Sequence, residues 1–163
     1  MQARWTLLAA ALCAGCALAQ AVPAGYPADY AQTIAAAKKE GKVVIYSALD
    51  TKAAQPLIKD FEAAFPGIKV EYNDMNSTEI YNRFIAESAS GQGGADVMWS
   101  SAMDLQVKLV DEGKALAYAS PEASKLPSWA VYKVEAWGTT YEPAVFIYNK
   151  RLVAADEVPQ DHA

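Results

Sequence analysis

Three short polar stretches stand where a solute could be held: Ser47-Ala-Leu-Asp-Thr51, Asn76-Ser77-Thr78 and Ser100-Ser101. Each follows a run that reads as a strand and precedes a helical pattern. Hydroxyls and amides at such junctions offer directed hydrogen bonds. A helix N-terminus adds N–H groups and the positive end of its dipole, a combination suited to an anion or a polar ligand. The same residue types are also what an ordinary helix cap requires, so both readings stay open for each stretch. The candidate ligand-binding residues are Ser47, Asp50, Thr51, Asn76, Ser77, Ser100 and Ser101, together with Tyr141, which closes a later extended run beside Gly138-Thr-Thr140.

Catalysis has less support. The only histidine is His162, so a Ser–His–acid set or a multi-histidine metal site cannot be assembled within the chain, and no Gly-x-Ser-x-Gly elbow is present. Asp50, Asp74, Glu79, Asp96 and Asp104 could pair as acid and base, but carboxylates this common carry no signal. Asp96, at the entry to a strand, reads as structural. Gly91-Gln-Gly-Gly94 follows a helix and opens a strand, the reverse of a phosphate cradle, and lacks a Lys-Ser/Thr ending. It reads as a flexible connection. Trp99 reads as core; Trp129, Trp137, Tyr141 and Tyr148 either line a cleft or pack on the sheet. No metal and no cofactor is expected.

The elements that must position these residues alternate. A helical pattern over Asp29–Glu40 carries Tyr30, Ile34 and Ala37 on one face and stops at Gly41. Val43–Tyr46 is a continuous β-branched run, the habit of a parallel strand buried on both faces. A stripe of Leu57, Ile58, Phe61 and Phe65 predicts a helix over Thr51–Phe65, capped by Asp50 or Thr51 and ended by Pro66-Gly67. Ile68–Tyr72 alternates, as a strand near a sheet edge does. Asn76 with Glu79 has capping-box character and opens a helix bearing Ile80, Tyr81, Phe84 and Ile85. Ala95–Trp99 is a third strand, and Ala102–Glu112 a fourth helix with Leu105, Leu109 and Val110 inward and Gly113 as its stop. Beyond Ala115, Ser120-Pro121 opens a helical turn, Leu126–Trp129 reads as a loop, and Glu135–Tyr141 and Ala144–Tyr148 are extended runs. Such alternation with short connections predicts an α/β fold with a mostly parallel sheet flanked by helices.

Composition narrows the setting. With 163 residues, 53% hydrophobic and 20% charged, the chain is an ordinary globular protein. Its net charge is −5, with Lys and Arg scattered singly, and no footprint for nucleic acid or an anionic membrane emerges. Arg4, the apolar stretch Thr6–Leu18 and Ala17-Leu-Ala19 have the layout of a signal peptide, assigned to residues 1–21 and cleaved after Ala19 or Ala21. The expected location is the periplasm. Both cysteines, Cys13 and Cys16, fall in this leader, so the mature chain has neither thiol nor disulfide. Lipoprotein anchoring through Cys16 is the alternative, although Cys13 stands where that pattern wants Leu.

Four stretches carry a family resemblance: Lys39-Glu-Gly-Lys-Val-Val-Ile-Tyr-Ser47, Phe61-Glu-Ala-Ala-Phe-Pro-Gly-Ile-Lys-Val70, Gly94-Ala-Asp-Val97 and Phe146-Ile-Tyr-Asn-Lys150. Together they resemble the extracellular solute-binding proteins of ABC importers, in the branch of ferric-iron binders and their sugar-phosphate and phosphonate relatives. The resemblance spans about residues 26–160. It implies a periplasmic-binding-protein-like, two-lobed receptor that closes on a small-molecule or ion ligand and hands it to an ABC permease with its ATPase. It further implies a monomer with no nucleic-acid partner. On this mapping residues 22–143 form the first lobe, and 144–163 the first crossover strand and the start of a second lobe that is largely missing, so the chain reads as an N-terminal fragment. Ferric members place a His after the first strand and an acid after the third; here Ser47-Ala-Leu-Asp50 has no His and Ser100-Ser101 stands near the acid's place. The resemblance thus favours a phosphorylated or carboxylated organic anion over ferric iron, since hydroxyls at helix ends suit oxyanions. Two other functions fit the same residues: an extracytoplasmic sensory domain, and an extracytoplasmic enzyme using paired carboxylates such as Asp50 and Asp104.

Overall fold

The structure is a computed structural model that describes residues 22–91, 93–143, 145 and 147–158. The leader read in residues 1–21 lies outside the described residues, as do His162 and Ala144 and Phe146 of the last extended run. The chain divides into two compact units, one up to Gln106 and one from Val107 onward.

In the first unit the alternation is realised. Helix α1 spans Tyr30–Glu40 and ends at Gly41, whose φ of 80° is left-handed and resisted by any residue with a Cβ. Strand β1 spans Lys42–Ser47, helix α2 Thr51–Ala64, strand β2 Lys69–Asp74, helix α3 Ser77–Ser90, strand β3 Val97–Trp99 and helix α4 Met103–Asp111. The three strands form a parallel sheet in the order β2-β1-β3, so β2 is an edge, as its alternation predicts. The path from β1 to β2 runs one way along the sheet and that from β2 to β3 runs back. Right-handed crossovers then place α2 and α3 on opposite faces. Accordingly α2 packs on β2 and α3 on β1.

The core follows from that arrangement. Val44 and Tyr46 of β1 are buried with Ile80 of α3, and Met75, Ala95 and Met98 close around them. Full burial of a side chain such as Ile80 stabilises by about 1.5–3 kcal/mol. Ile68, just before β2, and Ala54 of α2 are also buried.

Among the element ends of this unit, two differ from the sequence expectation by two residues, each for a backbone reason, and several others by one. Strand β2 runs on through Asn73 and Asp74 because they pair with Tyr46 and Ser47; ladder bonds on an edge strand need no apolar side chain. Strand β3 starts later, at Val97, because Asp96 ties itself to β1 through its side chain: the Val44 N–H donates to Asp96 Oδ2 at 2.7 Å, and the Asp96 N–H to the Val44 carbonyl at 2.9 Å. The structural reading of Asp96 holds.

In the second unit α4 ends in a Schellman motif, with the Lys114 N–H on the Leu109 carbonyl (2.9 Å), the Gly113 N–H on that of Val110 (3.0 Å), and Gly113 at φ 68°. Two 3₁₀ turns follow, Ala123–Lys125 and Ser128–Ala130, the second overlapping the stretch Leu126–Trp129 read as a loop. Strands β4 (Val131–Tyr132) and β5 (Ala136–Trp137) pair as an antiparallel hairpin. Asp111 braces its turn, accepting from the Tyr132 hydroxyl (3.1 Å) and Lys133 Nζ (2.5 Å). The extended run from Glu135 is therefore a strand only over Ala136–Trp137. Val145, Ile147 and Tyr148 join no strand among the described residues.

Candidate functional site

The register of the sheet sets the site. Ser47, the last residue of β1, pairs with Asp74 at the end of β2 and with Trp99 at the end of β3. The three strands therefore stop level, and α2, α3 and α4 all begin at one rim. The strand order changes direction between β1 and β3, and the crevice outside such a switch point is where open α/β sheets bind ligands.

At the centre of the rim Ser77 and Ser100 meet, with Ser100 Oγ donating to Ser77 Oγ at 2.9 Å; both are half-buried. Ser100 Oγ also accepts the Ala102 N–H at 3.2 Å, and the Met103 N–H turns back to the Ser101 carbonyl at 2.9 Å. Ser101 itself is exposed. Asn76 completes the expected capping box: its Oδ1 accepts the Glu79 N–H at 3.0 Å, and its own N–H donates to Glu79 Oε2 at 3.1 Å. Ser47 lies beneath this group, fully buried. Its Oγ accepts the Leu49 N–H at 3.0 Å and its carbonyl the Met75 N–H at 2.9 Å, while the Ala48 N–H donates to the Trp99 carbonyl at 2.9 Å. Ser47 thus joins all three strand ends from below and presents no surface at the rim.

The start of α2 is built differently from the expectation. Asp50 occupies the N-cap position but its side chain makes no cap bond. Asp74, across the sheet, takes that place: its Oδ2 accepts the Thr51 N–H at 2.9 Å and the Thr51 hydroxyl at 3.0 Å. Tyr72, two residues before it, donates its hydroxyl to the Leu49 carbonyl at 2.6 Å. The loop between β1 and α2 is therefore pinned from β2. Sequence reasoning named Asp74 only as a possible acid or base and gave Tyr72 no role, because their partners are about two dozen positions away; a level register of β1 and β2 was the signal needed.

Sequence reasoning also passed over a cluster on the α3 face. The buried Tyr46 hydroxyl donates to both oxygens of Glu87 (3.0 and 2.9 Å), Arg83 Nε donates to Glu87 at 2.8 Å, and the Arg83 guanidinium lies 4.4 Å from the centre of the Tyr46 ring. The Arg83 hydrogen bond, with help from the Tyr46 hydroxyl, holds the Glu87 carboxyl below its usual range. Burial, with the Glu87 bond, pushes the Tyr46 phenol up.

Tyr141 belongs to the second unit and is 78% exposed. An open depression along the outer side of α2, from Asp50 and Thr51 to Lys59 and Asp60, shares only its first residues with the rim. It follows one helix, without groups converging from several elements, so the rim is the candidate. Among the described residues no group of three or more His, Cys, Asp or Glu converges to hold a metal ion.

These features are those of an open α/β domain with small hydroxyls near the ends of its parallel strands. Its family is set by comparison: residues 47–161 match the bacterial extracellular solute-binding protein family, and the chain belongs to it. The fold is also that of a crystal structure of the substrate binding protein of the ABC transporter from Agrobacterium tumefaciens, 41% identical with a TM-score of 0.63. The alignment covers 73% of this chain and 36% of that one, so the chain spans little more than a third of that protein's length. No curated protein matches this chain.

Proposed function

We propose that the chain is the substrate-binding component of an ABC importer, a periplasmic receptor that holds a small solute at the β1/β3 rim and delivers it to a membrane permease with its ATPase. The observation that carries this reading is the convergence of Ser77 and Ser100, 2.9 Å apart, above three level strand ends in a member of a solute-binding family. The Agrobacterium tumefaciens relative, described as such a component, supports the transport assignment.

For the ligand we propose a small organic solute bearing a phosphate or carboxylate group and further hydrogen-bonding groups. Ser77, Ser100 and Ser101 offer hydroxyls to it, and Asn76, Asp50 and Thr51 edge the rim. Ser47 holds the loop in place. Ferric iron fits this rim less well, because the residues at the strand ends are mainly hydroxyls and no acid triad converges among the described residues. Residues 22–143 serve as the first lobe. Closure of a second lobe over the solute would be driven by contacts made only in the closed state.

Titration by NMR, which detects millimolar binding, tests the reading with a phosphorylated sugar, an alkyl phosphonate and a ferric salt. Saturable shifts at Ser77, Ser100 and Ser101 with one of the first two are expected. Combining Ser77→Ala with Ser100→Ala should weaken binding about tenfold, the equivalent of one or two hydrogen bonds. Binding of the ferric salt alone would overturn the ligand class, and shifts confined to other surfaces would overturn the site.

A further inference from the structure

The hairpin of the second unit is closed by residue types that such turns avoid. The Glu135 N–H donates to the Tyr132 carbonyl at 3.1 Å, and the two residues between them, Lys133 and Val134, have φ of 50° and 56°. Among the described residues these are the only positions other than glycine at positive φ. Two successive left-handed residues suit a tight hairpin turn, and a pair such as Asn-Gly supplies them at little cost. A β-branched side chain in that conformation crowds its own backbone, so Val134 carries strain.

What holds the turn is weak. Asp111, the last residue of α4, accepts from the Tyr132 hydroxyl at 3.1 Å and from Lys133 Nζ at 2.5 Å, and the Tyr118 N–H donates to the Val134 carbonyl at 2.8 Å. At the open end of the hairpin the Gly138 N–H donates to the Ala130 carbonyl at 2.7 Å, and a Cβ on Gly138 would stand 3.2 Å from the Ala130 Cα. Strands of two residues add little of their own. Asp111 and Lys133 are each about half exposed, where an ion pair contributes little. Strain and restraint are thus close in size, and a segment so balanced opens before the rest of its unit.

We infer that the β4–β5 hairpin is a two-state segment, a strained turn latched by Asp111 that leaves this conformation when the latch is broken. Release uncovers Ala130, which is buried between the strands, and frees the exposed Trp129 beside it. Asp111 acts here as a positioning residue. The inference stands on the geometry of this unit and needs neither the rim nor the solute reading.

Hydrogen exchange of the whole chain tests it, read at the Tyr118, Glu135 and Gly138 amides, with the Ile80 amide of α3 as the reference for global opening. Asp111→Ala should quicken exchange at the first three about three- to tenfold, the net worth of a hydrogen bond and an exposed ion pair, and leave Ile80 unchanged. Val134→Gly removes the strain and, at a side chain 39% exposed, little packing; it should slow exchange about fivefold. Adding Asp111→Ala to Val134→Gly should return the rate to about that of the parent. Sodium chloride should quicken exchange in the parent more than in Asp111→Ala, because the latch is open to solvent. If Asp111→Ala does not fold, Tyr132→Phe decides: it keeps the ring, removes one donor to Asp111, and should quicken exchange about two- to threefold. Exchange unmoved by loss of the Asp111 contacts, exchange not slowed by Val134→Gly, or an equal salt response in the parent and Asp111→Ala would overturn the inference.

Discussion

Replacing Gly94, a half-buried loop residue, by alanine should destabilise the first unit. A Cβ at Gly94 would occupy the space of the Glu87 carboxylate and lie 2.8 Å from the Tyr46 hydroxyl. Gly94 needs no left-handed backbone, so the cost is steric. Glu87 can swing away on its flexible stem, but the Tyr46 hydroxyl cannot follow, because its side chain is only 1% exposed. The hydroxyl then loses a hydrogen bond to a charged partner, worth about 1.5–3 kcal/mol. The Arg83–Glu87 pair spans one helical turn on a partly exposed face and adds only about 0.3–0.5 kcal/mol. Together these give roughly 2 kcal/mol, or a fall in Tm on the order of 10 °C for a unit of this size. Thermal and urea unfolding of Gly94→Ala, Tyr46→Phe and the double variant provide the cycle. If Gly94→Ala acts by breaking the Tyr46–Glu87 bond, it should cost markedly less in the Tyr46→Phe background. Strict additivity, or a loss below about 0.5 kcal/mol for Gly94→Ala alone, would refute the reasoning.

Further outcomes follow from the same contacts. Glu87 has a lowered folded-state pKa, so its contribution is present above its unfolded value, about 4.3, and is lost as the pH falls through the folded value; Glu87→Gln should flatten the acid limb of stability measured by urea unfolding between pH 2 and 6. Tyr46 has a raised pKa, so its contribution is present below its unfolded value, about 10, and disappears as the pH rises through the folded one. Absorbance at 295 nm should show one tyrosine titrating later than the rest, and Tyr46→Phe should remove that phase. Asp96→Ala leaves the Val44 N–H without its side-chain acceptor and should cost about 1–3 kcal/mol, with faster hydrogen exchange at Val44.

How far the chain could be read without coordinates depends on the range of each interaction. The capping box of Asn76 and Glu79 is local, three residues apart, and was legible as written. So were the Gly41 and Gly113 helix stops, because a left-handed residue is a one-position requirement. Hydrophobic period and turn residues sufficed for the order of helices and strands in the first unit, and for the edge position of β2. The hairpin Val131–Trp137 was not legible: its strands are two residues each, and its turn uses Lys133 and Val134 at positive φ, residue types that give no turn signal.

The sequence by itself determined an α/β chain with polar residues at three strand-to-helix junctions, since periodicity and capping are written in neighbouring residues. Which of those residues stand together was decided by the parallel register that levels Ser47, Asp74 and Trp99. Only tertiary structure could bury Ser47, bring Ser100 onto Ser77, and seat Asp74 on the start of α2 in place of the adjacent Asp50. The physical reason is the same in each case: these contacts join residues more than twenty positions apart, and pairing of β1 with its neighbours is what carries one polar side chain to another.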